Sequence, residues 1–143
     1  MSQSTHPSGL SESQIADLRQ SATKAAEHSY SPYSQFRVGA AILLDDGRTF
    51  TGANIENASY RLTICAENTA IAQAIMEAGP KIRVRAVAVA NLNGAASMPC
   101  GACRQILHEF ATDDLWVFGP GDSGPVDIRL AELLPHGFKL QRS

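Results

Sequence analysis

Three cysteines and one glutamate give the clearest chemical signal in this 143-residue sequence. Cys65 stands two residues before Glu67, and Cys100 and Cys103 follow in a Pro-Cys-x-x-Cys motif. Zinc favours thiolate sulfur, and a site with three protein ligands leaves its fourth tetrahedral position to a water molecule. The sequence contains no fourth cysteine. The pattern therefore predicts a catalytic zinc site rather than a closed structural one.

Glu67 is the only carboxylate that the spacing ties to these ligands. It is too close to Cys65 to be a comfortable fourth ligand, but it can reach a metal-bound water, whose pKa zinc lowers from about 15.7 to about 7. A ligand-x-Glu segment followed by Pro-Cys-x-x-Cys is the signature of zinc-dependent deaminases, in which the glutamate transfers protons. The alternative is a plain carboxylate favoured by a helix dipole, and the flanking cysteines count against it.

Both cysteine segments are predicted to begin helices. Pro99 precedes Cys100, and proline suits the first turn of a helix. Free N–H groups at a helix start stabilise thiolate charge. We expect one helix over residues 66–78, ended by Gly79 and Pro80, and another over residues 101–110.

The remaining elements must place these two helix starts side by side. Ser11 and Gln14 form a capping-box pattern that begins a first helix. Asp46-Gly47 predicts a hairpin turn. The expected elements are a helix over residues 12–28, a hairpin over 36–44 and 48–54, strands over 84–90 and 115–118, and a last helix over 128–134. This order predicts an α/β fold, a three-layer α/β/α sandwich with a mixed sheet, as one domain over residues 1–143 with residues 1–10 loose.

Composition narrows the function. The net charge is −2 and no basic cluster is present, so no nucleic-acid partner is expected. No apolar run reaches membrane-spanning length and the amino terminus lacks a signal-peptide core, so we expect no membrane partner. An odd number of cysteines, two of them in a metal-type motif, favours a reducing compartment. A cytoplasmic enzyme is the expectation, and the four histidines are expected to lie outside the metal site.

Over nearly its whole length the chain resembles the small homotetrameric cytidine deaminases. Besides the two cysteine motifs, the matching segments are residues 31–41, 52–60 and 132–135. The resemblance implies a five-stranded mixed sheet with helices on both faces and a Zn²⁺ cofactor. It also implies hydrolytic deamination of cytidine and 2′-deoxycytidine to uridine and 2′-deoxyuridine with release of ammonia, in pyrimidine salvage. The expected assembly is a homotetramer with its sites at subunit interfaces.

The same resemblance assigns substrate contacts. Asn54 and Glu56 match residues that hydrogen-bond the ribose hydroxyls, and Phe36 matches the residue that packs against the pyrimidine. The backbone of Ala66 is expected to read the base edge. Phe138 matches an aromatic residue lent to a neighbouring subunit's site. The plain alternatives are a turn role for Asn54, a core role for Phe36 and a tail-anchoring role for Phe138.

Two residues near the metal motifs depart from the family pattern. Arg61 stands where glycine is common, and Asn68 stands where arginine is common. Zinc with three thiolates carries a net negative formal charge, which an arginine donating to sulfur offsets. We therefore expect Arg61 or Arg104, rather than Asn68, to supply the positive charge.

Other functions remain open at this point. Blasticidin S deaminases share both cysteine motifs, so another aminopyrimidine nucleoside is the nearest alternative substrate. A polynucleotide deaminase is disfavoured because such enzymes need basic or aromatic surface. A non-catalytic zinc-binding scaffold is the alternative from a different class, and the retained Glu67 argues against it.

Overall fold

A five-stranded sheet forms the middle layer of the computed structural model, which describes residues 6–140. The strands are β1 (Val38–Leu44), β2 (Thr49–Ala53), β3 (Val84–Asn91), β4 (Ala111–Gly121) and β5 (Gly124–Arg129). Their order across the sheet is β2-β1-β3-β4-β5. β3 and β4 run parallel, and every other neighbouring pair is antiparallel. The predicted mixed sheet is confirmed.

Helices cover both faces of this sheet. They are α1 (Glu12–Ala26), α2 (Ala66–Ala78), α3 (Gly101–Phe110) and the short α4 (Leu130–Leu133). Successive strand residues point to opposite faces, and β3 shows this directly. Ala86 and Ala88 pack in one buried cluster with the apolar side of α1, whereas Val87 packs in a second cluster with α2 and α3. The predicted three layers are therefore present.

The predicted helix boundaries are accurate where capping signals are strong. Ser11 caps α1 through a capping box, in which the Ser11 hydroxyl accepts from Gln14 N at 3.1 Å and Gln14 Oε1 accepts from Ser11 N at 2.8 Å. α2 and α3 have the bounds that the sequence predicted. α1 ends two residues early, at Ala26, because the chain turns there without a glycine signal. Within residues 6–140, none of the helices combines the length and apolar composition needed to cross a membrane.

Residues 1–10 were expected to be loose, and the structure corrects this for residues 6–10. Leu10 is fully buried in the α1 side of the core. His6 Nε2 lies 3.0 Å from Asp127 Oδ2, and its ring packs edge-on against Trp116. The prediction was wrong because it was based on the serine-rich composition of the segment. Burial of the single apolar residue Leu10 anchors residues 6–10 to the core. Residues 1–5 lie outside the described residues.

The main error concerns the end of the sheet. The sequence predicts a strand over residues 115–118 and a helix over residues 128–134, with no strand between them. In the structure β4 continues to Gly121, β5 follows at once, and α4 begins only at Leu130. Pro125 and the surrounding glycines favour a turn by composition, yet proline is tolerated on an edge strand because its missing N–H faces away from the ladder. Ile128 consequently belongs to a strand.

Candidate metal centre and active site

The three cysteine sulfurs meet at the starts of two helices. Cys65 is the N-cap residue of α2, Cys100 is the N-cap residue of α3, and Cys103 lies in the first turn of α3. All three Sγ atoms lie within 4.8 Å of one another, and those of Cys65 and Cys100 are 4.0 Å apart. Two sulfurs bound at 2.3 Å to one tetrahedral zinc lie about 3.8 Å apart. The cluster therefore fits a zinc ion with little rearrangement.

The helix starts also prepare the sulfurs electrostatically. Cys103 N donates to Cys100 Sγ at 3.5 Å. A hydrogen bond from the Cys103 thiol lowers the pKa of Cys65 to about 6, and the same bond raises the pKa of Cys103. Of this pair of thiols, Cys65 is therefore the one that ionises first. Metal binding must release the remaining thiol protons, which couples zinc affinity to pH.

Glu67 stands in the first turn of α2 with its side chain turned into the protein. Its relative exposure is 5%, and burial together with the nearby Cys65 charge raises the pKa of this carboxyl to about 7. A carboxyl that titrates near neutral pH can accept a proton in one step and return it in the next. The burial of Glu67 therefore suits it to acid/base chemistry beside the cysteines.

A pocket of about 230 Å³ opens beside the cysteine cluster. It brings together Glu67, Cys65 and Cys100 with three of the residues assigned to substrate, Phe36, Asn54 and Ala66. Sequence reasoning did not name its further lining residues, which are Val38, Thr63, Val89, Ser97 and Met98. The strand period could have found Val38, which lies two residues after Phe36 and so faces the same side. Ser97 and Met98 belong to the loop before Cys100.

Asn54 and Glu56 differ in how they stand toward this pocket. Asn54 is buried and lines it, with Nδ2 donating to Phe36 O at 2.8 Å and Oδ1 accepting from Val38 N at 3.0 Å. Glu56 is not among the lining residues. Its carboxylate accepts from the Ser34 hydroxyl and from the backbone N–H groups of Tyr33 and Ser34, and the hydroxyl bond lowers the pKa of Glu56.

Phe138, Arg61 and Asn68 do not line this pocket. Phe138 is 65% exposed, and its carbonyl oxygen accepts from Gln105 Nε2 at 2.9 Å. Arg61 is exposed in a 3₁₀ turn over residues 60–62. Asn68 is half-buried on α2.

The Arg104 guanidinium is directed at backbone carbonyls rather than at sulfur. It donates to Pro99 O at 2.7 Å and to Leu133 O at 3.1 Å. In the part of the chain that the structure describes, no arginine donates a hydrogen bond to a cysteine sulfur. The direct charge compensation expected from Arg61 or Arg104 is therefore not seen.

Two glycines on the sheet determine where the metal segments lie. A Cβ atom on Gly52 would stand 2.4 Å from Ala70 N and 2.6 Å from Ala66 O, so β2 admits the first turn of α2 only because residue 52 has no side chain. A Cβ atom on Gly119 would stand 2.9 Å from Ser97 O, in the loop that leads to Cys100. The Cys65 segment thus packs on β2 and the segment that leads to Cys100 packs on β4. β1 and β3 lie between these two strands in the sheet.

Gly52→Ala is expected to destabilise the fold by about 1–3 kcal/mol through overpacking. It should also weaken zinc binding and activity, because α2 must move with Cys65 and Glu67. Gly39→Ala is the matched control, since a Cβ there would stand 2.0 Å from Ala22 O on α1, which carries no site residue. Urea unfolding and zinc titration of both variants test this, and equal loss of zinc affinity in the two would contradict it.

The comparisons with known proteins agree with this geometry. The model of the cytidine and deoxycytidylate deaminase zinc-binding region matches residues 12–119. The chain is 46% identical over 123 residues to a cytidine deaminase of Mycobacterium tuberculosis (strain ATCC 25618 / H37Rv), covering 86% of this chain and 88% of that protein. A cytidine deaminase of Halalkalibacterium halodurans is 45% identical over 122 residues, covering 85% of this chain and 91% of that protein. The crystal structure of cytidine deaminase from Mycobacterium tuberculosis has a TM-score of 0.76 at 44% identity, covering 88% of this chain and 98% of that one.

Proposed function

This chain belongs to the cytidine and deoxycytidylate deaminase family, and from that premise we propose that it deaminates cytidine and 2′-deoxycytidine. The products are uridine or 2′-deoxyuridine and ammonia. The observation that carries the proposal is a cluster of three cysteine sulfurs beside a pocket of about 230 Å³ that Cys65, Cys100 and the buried Glu67 line. A role in pyrimidine salvage, in the cytoplasm, is the setting that we propose for this reaction.

Glu67 performs the proton transfers of the proposed mechanism. Zinc, held by Cys65, Cys100 and Cys103, supplies a water of lowered pKa when it is bound. The Glu67 carboxylate takes a proton from the attacking water and delivers one to N3 of the cytosine ring as C4 becomes tetrahedral. It then takes the second proton from the new C4 hydroxyl and passes it to the departing amine, so that ammonia leaves and the C4 carbonyl of uracil remains. Burial of Glu67 supports this cycle. With a pKa of about 7, the carboxyl can be either protonated or ionised near neutral pH, and the cycle needs both forms.

Different residues around the pocket bind the base and the ribose of the nucleoside. Phe36 packs against the pyrimidine ring, and the backbone of Ala66 at the start of α2 reads the base edge. Asn54 and Glu56 bind the ribose hydroxyls. Asn54 retains one N–H for this purpose, since its other N–H donates to Phe36 O and its Oδ1 accepts from Val38 N and from the Ser29 hydroxyl. The Ser34 hydroxyl donates to the Glu56 carboxylate, which fixes the orientation of that side chain.

A homotetramer with shared sites is the assembly that we propose. Exposed apolar side chains cluster in the segments that flank the pocket, with Tyr60 73% and Leu62 61% exposed. Cys100 is itself exposed in the single chain. An exposed apolar patch of this kind is typical of an interface. A neighbouring subunit that covered it would exclude bulk water from the site. Phe138, exposed on the tail, is the residue proposed to reach a neighbouring site.

Light scattering of the purified chain is expected to report a tetramer. Phe138→Ala should then raise KM for cytidine about 3- to 10-fold, because loss of one partly buried aromatic contact corresponds to about 0.5–1.5 kcal/mol. Leu140→Ala is a matched control on the same tail, where Leu140 is 79% exposed. A stable and fully active monomer would contradict both the assembly and the role of Phe138.

Cytidine-to-uridine conversion followed by ultraviolet absorbance tests the activity itself. The zinc-loaded chain is expected to convert cytidine and 2′-deoxycytidine and to leave blasticidin S unchanged. Conversion of blasticidin S alone would assign the chain to the other aminopyrimidine nucleosides. Absence of any deamination by a zinc-loaded, folded chain would favour a non-catalytic zinc-binding scaffold.

A further inference from the structure

Phe36 lies in the segment just before β1, over residues 35–37, which is not itself part of a strand. β1 begins at Val38, and its partners end beside it, β2 at Ala53 and β3 at Asn91. On the β3 side the last backbone bond runs from Leu92 N to Arg37 O at 3.0 Å. The Arg37 N–H and the Gln35 C=O beyond it, and the Phe36 C=O on the β2 side, need other hydrogen-bonding partners.

Two asparagine side chains take the place of the missing strands. On the β2 side, the Asn54 amide bonds Phe36 O and Val38 N. On the β3 side, Asn93 Nδ2 donates to Gln35 O at 2.9 Å, and Asn93 Oδ1 accepts from Arg37 N at 3.0 Å. Backbone groups of successive residues in a strand face alternate edges, and the four bonds follow this alternation. Each side-chain amide thus extends the hydrogen-bonding ladder by one step.

Gln35 makes the segment sensitive to this support. Its φ of 58° is the one positive value among the non-glycine residues that the structure describes. Such a conformation costs about 1–3 kcal/mol and persists only where the surroundings hold it. Gln35 N donates to Ser31 O at 2.9 Å, and Asn93 holds the carbonyl of the same residue. The strained turn immediately precedes Phe36, and Asn93 bonds the backbone on both sides of that residue. We call these two hydrogen bonds, to Gln35 O and from Arg37 N, the Asn93 bracket.

We propose that Asn93 is a positioning residue for substrate binding, acting by fixing the backbone on both sides of Phe36. Asn93 is exposed and is not among the residues that line the pocket, so its effect on substrate must pass through residues 35–37. The inference rests on the proposed function in so far as Phe36 packs against the pyrimidine. The alternative, a purely local turn role for Asn93, would leave substrate affinity unchanged.

Asn93→Ala and Asn93→Asp separate the two halves of the bracket. Alanine removes both bonds, so the Arg37 amide should exchange its hydrogen faster in native-state measurements. Aspartate keeps the acceptor for Arg37 N but places a second oxygen against Gln35 O. Gln73→Ala is the matched control, because Gln73 is an exposed amide that accepts from Thr51 N away from the pocket.

Steady-state kinetics should show a rise in KM for cytidine of about 3- to 10-fold in both Asn93 variants, with kcat changed by less than about 2-fold. Gln73→Ala should change neither constant. In a Phe36→Ala background, Asn93→Ala should add nothing, since the residue it positions is gone. An unchanged KM in Asn93→Ala, or an equal rise in both backgrounds, would overturn the proposal.

The exchange measurement does not depend on catalysis. If the wild-type chain deaminates no cytidine, the proposed function fails, and the Arg37 exchange rate alone decides the bracket. Faster exchange in Asn93→Ala but not in Gln73→Ala would uphold it, and unchanged exchange would overturn it.

Discussion

Glu67→Gln is expected to abolish nearly all deamination while leaving the metal site intact. The amide has the shape of the carboxyl group but can neither take the proton from water nor return it to the ring and the leaving amine. General acid–base catalysis by one positioned group contributes about 10²–10⁴-fold, and here one group serves several steps, so kcat should fall by at least that range. Steady-state kinetics on protein of known zinc content measure the loss.

Glu77→Gln is the matched control, because Glu77 is an exposed carboxylate on the same helix. It should leave kcat and zinc content unchanged. The stability of the Glu67 variant is expected to hold or rise, since an amide is buried there at less cost than a carboxylate. Turnover within about 10-fold of wild type in the zinc-loaded Glu67 variant would remove this residue from the proton transfers.

Cys100→Ala is expected to lose zinc and, with it, all activity. Removing one of three thiolates leaves two ligands, and loss of an outer-shell partner alone costs about 10- to 100-fold in metal affinity. The loss of a direct ligand should exceed this range. Metal analysis after dialysis against a weak chelator should find about one zinc per wild-type chain and little in the variant.

His108→Ala tests whether a histidine can replace the lost sulfur. His108 lies on the same helix but lines a separate pocket near its other end, together with Asp113 and Lys139. The variant should keep its full zinc content. If Cys100→Ala retained zinc, and the combination with His108→Ala then lost it, the ligand set derived from the three cysteines would be wrong.

The chemistry of the site could be predicted from the sequence because its spacing is local. Cys65 and Glu67 share one helix turn, as do Cys100 and Cys103, so each half of the cluster is defined by a few consecutive residues. Helix periodicity and capping signals gave the bounds of α2 and α3 for the same reason. The proximity of the two halves is a tertiary feature. It was expected from the predicted order of strands and helices.

Features that depend on distant contacts were not predictable. β5 was missed because Pro125 and its glycines resemble a turn, and only pairing with β4 reveals a strand. Leu10 belongs to a polar segment that the sequence predicts to be loose, and its burial depends on core residues distant in the sequence. The orientation of Arg104 depends on Leu133 O, which lies 29 residues away along the chain. A sequence motif shows which residues could compensate a charge, whereas the backbone around them decides where each guanidinium points.

The Asn93 bracket also has a consequence for the chemical lifetime of the protein. Asn93 precedes Gly94, which has a φ of 69° and no side chain that could hinder attack by its backbone nitrogen. Asparagine before glycine is prone to cyclise to a succinimide, which opens to aspartate or isoaspartate, and asparagine is among the thermolabile residues. The two hydrogen bonds to residues 35 and 37 hold the side-chain amide away from that attack. Ageing at Asn93 should therefore begin only when the bracket opens, and each event would remove the Nδ2 donor that closes it again.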